Sequence, residues 1–259
     1  MPDADSCSSS SRSAAMLLAA GRGKRMRPLT DHTPKPLLHV QGRPLLEWPL
    51  AALARQGCTE VLINTGWLGA QIPARLGRQW RADATLPVTT LHYSEEEADF
   101  GHALETAGGI VRVLPRLQDI FWLAAGDVYA PDFVFDRAAM ARFAASDALA
   151  HLWLVPNPPH HPEGDFALAP DGRLHATPRP DSPLPRYTYS TIGLFRAALF
   201  TAPYCTLPPG NPQGTEAPLA PVLRAAMADG RITGELHTGR WTDVGTPERL
   251  AALNAQAQA

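Results

Sequence analysis

The sequence predicts an α/β protein with a mixed, mostly parallel sheet flanked by helices. Short continuous apolar runs, "AAMLLAA" from Ala14 to Ala20, "EVLIN" at 60–64 and "IFWLAA" at 120–125, alternate with helix-length segments. Such alternation is the mark of βαβ units, whose parallel strands are buried on both faces. The chain has 259 residues, 45% of them hydrophobic, enough for a sizeable core. The texture then changes. Prolines crowd 156–185 and 203–221, around "LAHLWLV" (149–155) and "YTYSTIGLF" (187–195), which predicts less regular structure and some antiparallel pairing there.

The elements follow in order. Residues 1–13, "MPDADSCSSSSRS", are polar and serine-rich, without the charged start and apolar stretch of a signal peptide, and read as a disordered tail. No linker splits 14–259, so that span reads as one domain. A strand over 14–20 is stopped by Gly21, and 21–36 forms a long loop. Pro44 suits the first turn of a helix running to about Gln56, with Gly57 as its stop. Pro49 lies beyond that turn and predicts a kink or a delayed start. A strand at 60–64, a helix at 68–76, a strand at 88–93, a helix at 105–114 and a strand at 120–125 come next. The last helix is "PERLAALNAQ", after the loop "WTDVGT".

Composition excludes some classes of function. The formal net charge is -2, so a general nucleic-acid binder is not expected. No apolar run approaches the roughly 20 residues of a membrane span. Cys7, Cys58 and Cys205 are an odd number without metal-ligand spacing, which suits a cytoplasmic protein with free thiols. Oligomeric state is not legible.

The loop after the first strand carries the chemistry. Gly21 and Gly23 permit close backbone approach, and successive N–H groups in such a turn make an anion site. Arg22, Lys24, Arg25 and Arg27 surround them with positive charge, and Pro28, Pro34 and Pro36 stiffen the segment around Lys35. The Rossmann fingerprint and the Walker A loop do not fit, because Arg25 stands where a third glycine belongs and no G-K-[S/T] ending exists. Arg22, Lys24 and Arg27 read equally well as solvated surface. Asp127 lies past the end of a buried strand, and Asp243 precedes the last helix. Both could ligate Mg²⁺ beside phosphate oxygens, or could cap a turn or helix, with Thr246 competing for the cap. Gly108 and Gly109 sit inside a helical pattern, which suggests close approach of a ligand or of another backbone. His160 and His161 find no further ligand at a recognised metal spacing.

The segment "LAAGRGKRMRPLT" followed by "PKPLL" resembles the signature of the sugar-phosphate nucleotidylyltransferases, and the resemblance runs from about Met16 to Leu253. It implies a single Rossmann-like, GT-A-type domain that binds a nucleoside triphosphate and a sugar 1-phosphate. Ala19, Ala20, Gly21, Gly23 and Lys24 would then wrap the triphosphate. Arg25 would contact the leaving pyrophosphate, and Lys35 the phosphates at the reacting centre. "G-D" at 126–127 and "W-T-D-V-G-T-P-E" are similar to the family's metal segments, implying Mg²⁺ on Asp127 and Asp243. Glu105, Gly108 and Gly109 would lie against base and ribose. Asp165, Arg186, Thr191 and Gly193 would face the sugar, with Arg186, His160 and His161 as candidates for a carboxylate on it.

"NTGWLG", "LETAGG", "NPPHHPEGDF" and "WTDVGTPERL" look most similar to the N-acetylmuramate 1-phosphate uridylyltransferases, which implies UTP as donor and a role in peptidoglycan recycling. Mannose 1-phosphate guanylyltransferases, choline-phosphate enzymes and a non-catalytic nucleotide-sugar sensor are the alternatives. Presence of Arg25, Lys35, Asp127 and Asp243 favours an enzyme. One departure stands out: the family's Glu-Lys-Pro segment, whose lysine holds the sugar phosphate, is here "ATPRPDSP", with Arg179 a weak substitute.

Overall fold

The computed structural model describes residues 12–177 and 184–256. The tail up to residue 11, with Cys7, and most of "ATPRPDSP", with Arg179, lie outside the described residues. Ser13 does not belong to a tail: it opens the first strand and pairs with Leu117.

Four strands run parallel through the centre, in the order Thr89–Glu95, Glu60–Thr65, Ser13–Ala19 and Leu117–Ala125. Their alternation explains the apolar runs. Ala15, Leu17 and Ala19 enter the core on one face of the sheet with Val61 and Ile63, while Met16 and Leu62 enter the core on the other. Both faces are covered, so neither needs polar residues. The second half adds the predicted antiparallel part. The long strand Arg186–Arg196 pairs antiparallel with Leu117–Ala125 on one side and Ala150–Val155 on the other. Ile232–Leu236 then pairs parallel with Ala150–Val155. The sheet is mixed and mostly parallel, flanked by helices.

Pro49 acts by delaying the helix. The helix spans Glu47–Arg55 and places Pro49 third, within the first turn, where its missing N–H has no bond to lose. Pro44 is therefore outside the helix, in a short ribbon of Arg43–Pro44 against His39–Val40. Three helices among the described residues were not legible in the sequence, Glu96–Phe100, Arg137–Ala144 and Leu219–Ala228. Arg137–Ala144 is capped by Asp136, whose carboxylate accepts from the N–H groups of Ala138 and Ala139. Leu219–Ala228 lies in the proline-rich stretch, but Pro221 again falls in the first turn. The last helix, Pro247–Ala255, is capped by Thr246, whose hydroxyl accepts from Arg249 N–H, so Asp243 is free of that duty.

Candidate active site

The strand Ser13–Ala19 has Glu60–Thr65 on one side and Leu117–Ala125 on the other. Chain order reverses there, and ligands of open α/β sheets bind at the carboxyl ends beside such a reversal. Two cavities open at this place. A larger one, about 680 Å³, runs from Ala20, Gly21 and Arg22 to Asp165, Tyr189 and Thr191. A smaller cleft, about 200 Å³, is lined by Gly21, Gly23, Lys24, Arg25, Lys35 and Asp127. Gly21 and Asp127 line both, so the two form one site. A further concavity, about 950 Å³, lies elsewhere, between 169–177 and 224–230. Its lining holds none of the chemistry described above.

The smaller cleft is built by the glycine loop. Gly23 has φ +63, and a Cβ there would meet Thr30 Cγ2 at 3.1 Å and Lys35 Cβ at 3.2 Å. Only glycine fits without strain. Thr30 Oγ1 donates to Gly23 O, which pins the turn. Gly21 has open space around it, so a ligand can approach its backbone. Lys24 and Arg25 are exposed beside the cleft, whereas Lys35 is largely covered and reaches Asp127 Oδ2 at 2.6 Å.

Asp127 and Asp243 are brought together by a two-stranded ribbon. Asp243 pairs with Val128, and Val244 N–H donates to Asp127 O. Arg249 pairs with the Asp243 carboxylate, and His160 Nε2 stands 3.6 Å from it. One carboxylate in the cationic cleft, Asp127, and a second on the adjoining ribbon, Asp243, fit Mg²⁺, which takes one or two carboxylates and leaves other positions to phosphate and water. Among the described residues no group of three or more His, Cys, Asp or Glu forms an all-protein cage. The donor set thus suits a metal shared with a phosphorylated ligand.

The larger cavity tests the expected base and sugar residues. Glu105 and Thr191 both line it, and both have left-handed backbone, φ 58 and 63. Strained non-glycine residues cluster where a ligand is gripped. Asp165 lines it too, accepting from Tyr189 N–H at 2.8 Å and from the His161 side at 3.1 Å.

Other expected residues are displaced. Ala19 is buried, with its N–H given to Asn64 Oδ1, and only Ala20 reaches the cavity. A Cβ on Gly108 would sit 2.6 Å from Thr215 O, and one on Gly109 would sit 2.5 Å from Glu96 Oε1. Protein atoms crowd the Cβ position of both glycines, so packing alone demands a residue without a side chain there. Gly193 is likewise hemmed in, its Cβ position 2.8 Å from Phe195 Cε2 and 3.0 Å from His151 O. Arg186 donates to the carbonyls of Glu163, Gly164, Asp165 and Ala176, so its fork is occupied by backbone and is not free for a substrate carboxylate. Arg22 does not point to water either. Its guanidinium lies 3.0 Å from the centre of the Trp67 ring, with Nη1 buried and unpartnered among the described residues.

Asn64, Glu96 and Tyr189 also line the cavity and escaped sequence reasoning. Asn64 bridges Ala19 N–H and Glu96 Oε1, while Glu96 Oε2 accepts from Leu104 N–H. Burial pushes the Glu96 carboxyl up, against the pull of those two hydrogen bonds. Burial also pushes the Tyr189 phenol well up, and its Oη has no partner among the described residues. A polar residue ending an apolar strand, as Asn64 does in "EVLIN", was the one available signal.

Comparison with known proteins supports the same reading. A family model described as nucleotidyl transferase matches residues 14–168. The N-acetylmuramate alpha-1-phosphate uridylyltransferase of Neisseria meningitidis is 44% identical over 95% of this chain and 98% of its own length. The Caulobacter vibrioides protein of the same name is 28% identical over 93% and 96%. A Bacillus anthracis crystal structure in complex with sucrose superposes with a TM-score of 0.72 at 22% identity, covering 94% of both chains.

Proposed function

The chain belongs to the nucleotidyl transferase family, and on that footing we propose that it joins UTP to N-acetylmuramate 1-phosphate, releasing pyrophosphate and a UDP-sugar. One observation carries the reading: a cationic cleft and a larger, mostly apolar cavity meet at Gly21 and Asp127. A triphosphate threaded through that junction leaves its terminal phosphates with Lys24, Arg25 and Lys35 and its nucleoside toward Glu105. The sugar end of the second substrate lies toward Asp165 and Thr191.

The chemistry is a displacement at the α-phosphorus. A phosphate oxygen of the sugar 1-phosphate forms the new P–O bond, and the bond to the β-phosphate oxygen breaks, with pyrophosphate leaving on Arg25 and Lys35. The nucleophile is already ionised at neutral pH, so no general base is required. The difficulty is bringing two anions together, and the protein's part is to orient and neutralise them. Asp127 and Asp243 would hold Mg²⁺, which supplies further charge neutralisation at the phosphates. Lys35, fixed by Asp127, stays pointed at the junction. The free thiols of Cys58 and Cys205 support a reducing, cytoplasmic setting.

The choice of muramate rests on the 44% identical relative and on the near-complete coverage of both chains. A matrix of nucleoside triphosphates against sugar 1-phosphates, read by pyrophosphate release, tests it. UTP with N-acetylmuramate 1-phosphate is expected to lead. Turnover of GTP with mannose 1-phosphate and none with the muramate would replace this reading by the guanylyltransferase one.

A further inference from the structure

Resting on that reading, we propose that Arg22, stacked on Trp67, is the residue that grips the phosphate of the sugar 1-phosphate. The charge balance of the two cavities leads there. The smaller cleft has three cations, Lys24, Arg25 and Lys35, enough for the terminal phosphates of a triphosphate. Among the described residues the larger cavity is lined by four acids, Glu96, Glu105, Asp127 and Asp165, and by a single cation, Arg22. A phosphate monoester entering that cavity meets one group of opposite charge among the described residues, Arg22.

Arg22 is also built to serve it. Its side chain is partly buried, and its guanidinium carbon lies over the Trp67 indole, 3.0 Å from the ring centre. Trp67 is itself fixed, with Nε1 donating to Thr30 O at 2.9 Å. The preceding Gly66 is pressed on the glycine loop, where a Cβ would stand 2.3 Å from Ala20 O. Trp67 and Arg22 are therefore tied to the loop that lines both cavities. A guanidinium never loses its charge, and a buried charge without a partner is unfavourable. The indole face compensates part of this. Nη1 remains buried with no hydrogen-bond partner among the described residues. Arg249, by contrast, is committed to Asp243. A planar fork held on an aromatic plane matches two oxygens of a phosphate and has little entropy left to lose.

The test uses Arg22→Ala, Arg22→Lys and Trp67→Leu in the full chain. In steady-state assays Arg22→Ala is expected to raise KM for the sugar 1-phosphate roughly ten- to hundredfold, the span of one charge-assisted hydrogen bond. KM for the triphosphate stays near the wild-type value. Trp67→Leu shifts the same KM in the same direction by less, and Arg22→Lys falls between, since it keeps the charge and loses the fork. If Arg22→Ala folds poorly, Arg22→Lys carries the comparison. Calorimetric titration adds a readout without turnover: wild type prefers the sugar 1-phosphate to the unphosphorylated sugar, and Arg22→Ala loses that preference. An unchanged sugar-phosphate KM, or an equal rise for the triphosphate, overturns the proposal. Absence of pyrophosphate release from wild type with every substrate pair would sink the proposed reaction instead, while the calorimetric preference still judges Arg22.

Discussion

The ion pair between Lys35 and Asp127 is the place where stability and catalysis can be separated by a mutant cycle. The pair is 2.6 Å long, with 11% of the lysine side chain and 38% of the aspartate side chain exposed. At an effective dielectric near 20 the bare attraction at such a distance is about 6 kcal/mol. Desolvation of the lysine and solvent screening at the aspartate cancel most of it, leaving a net coupling of about 1–2 kcal/mol. Asp127→Asn and Lys35→Met should each lower stability by about that amount, or about 2–8 °C in Tm for a chain of this size. The double variant should lose little more than either single one, because the second change no longer strands a charge. Urea unfolding of the four proteins gives the coupling directly. Turnover behaves otherwise: Lys35→Met should lower kcat about hundred- to thousandfold, as loss of a charge-stabilising donor does. Stability losses that add within about 0.5 kcal/mol would refute the claim that the two side chains act as a pair.

Three further outcomes are expected. Arg186→Ala strands four carbonyls and should lower stability by about 1.5–3 kcal/mol while leaving sugar preference almost unchanged; lost selectivity at full stability would return Arg186 to the substrate. Gly109→Ala drives a methyl against the Glu96 carboxylate and should destabilise by about 1–3 kcal/mol, whereas a variant as stable as wild type would show that protein packing does not demand the glycine. Burial pushes the Cys58 thiol from 9.0 up to about 11, so the native state holds this proton longer than the unfolded chain does. The stability it contributes is present below pH 9.0 and lost as pH rises through about 11. Melting temperature should fall across that window, less steeply in Cys58→Ala, and equal slopes in the two proteins would remove Cys58 as the cause.

The central strands were legible because both of their faces are buried, which turns each into an unbroken apolar run. The glycine loop was legible because its charge and its glycines lie next to one another in the chain. Pro49 gave a choice between kink and delayed start, and the ribbon at Arg43–Pro44 decided it. The misreadings share a cause: distance along the chain. Arg22 reads as surface until Trp67 arrives beneath it. Arg186 reads as a free cation until Glu163, Gly164, Asp165 and Ala176 turn their carbonyls toward it. Gly108, Gly109 and Gly193 suggest room for a ligand, but the room is taken by Thr215, Glu96 and Phe195. Two of the missed helices had local signals after all, the Asp136 cap and a proline confined to a first turn.

The central claim is nucleotidyl transfer at the junction of the two cavities, and the most direct measurement follows the phosphorus atoms. UTP labelled at the α-phosphate, and separately at the γ-phosphate, is incubated with N-acetylmuramate 1-phosphate and Mg²⁺. The α-label is predicted to appear in the nucleotide-sugar and the γ-label in pyrophosphate, with neither transfer in Asp127→Asn. Appearance of the γ-label on the sugar, or transfer that survives in Asp127→Asn at the wild-type rate, would contradict the account.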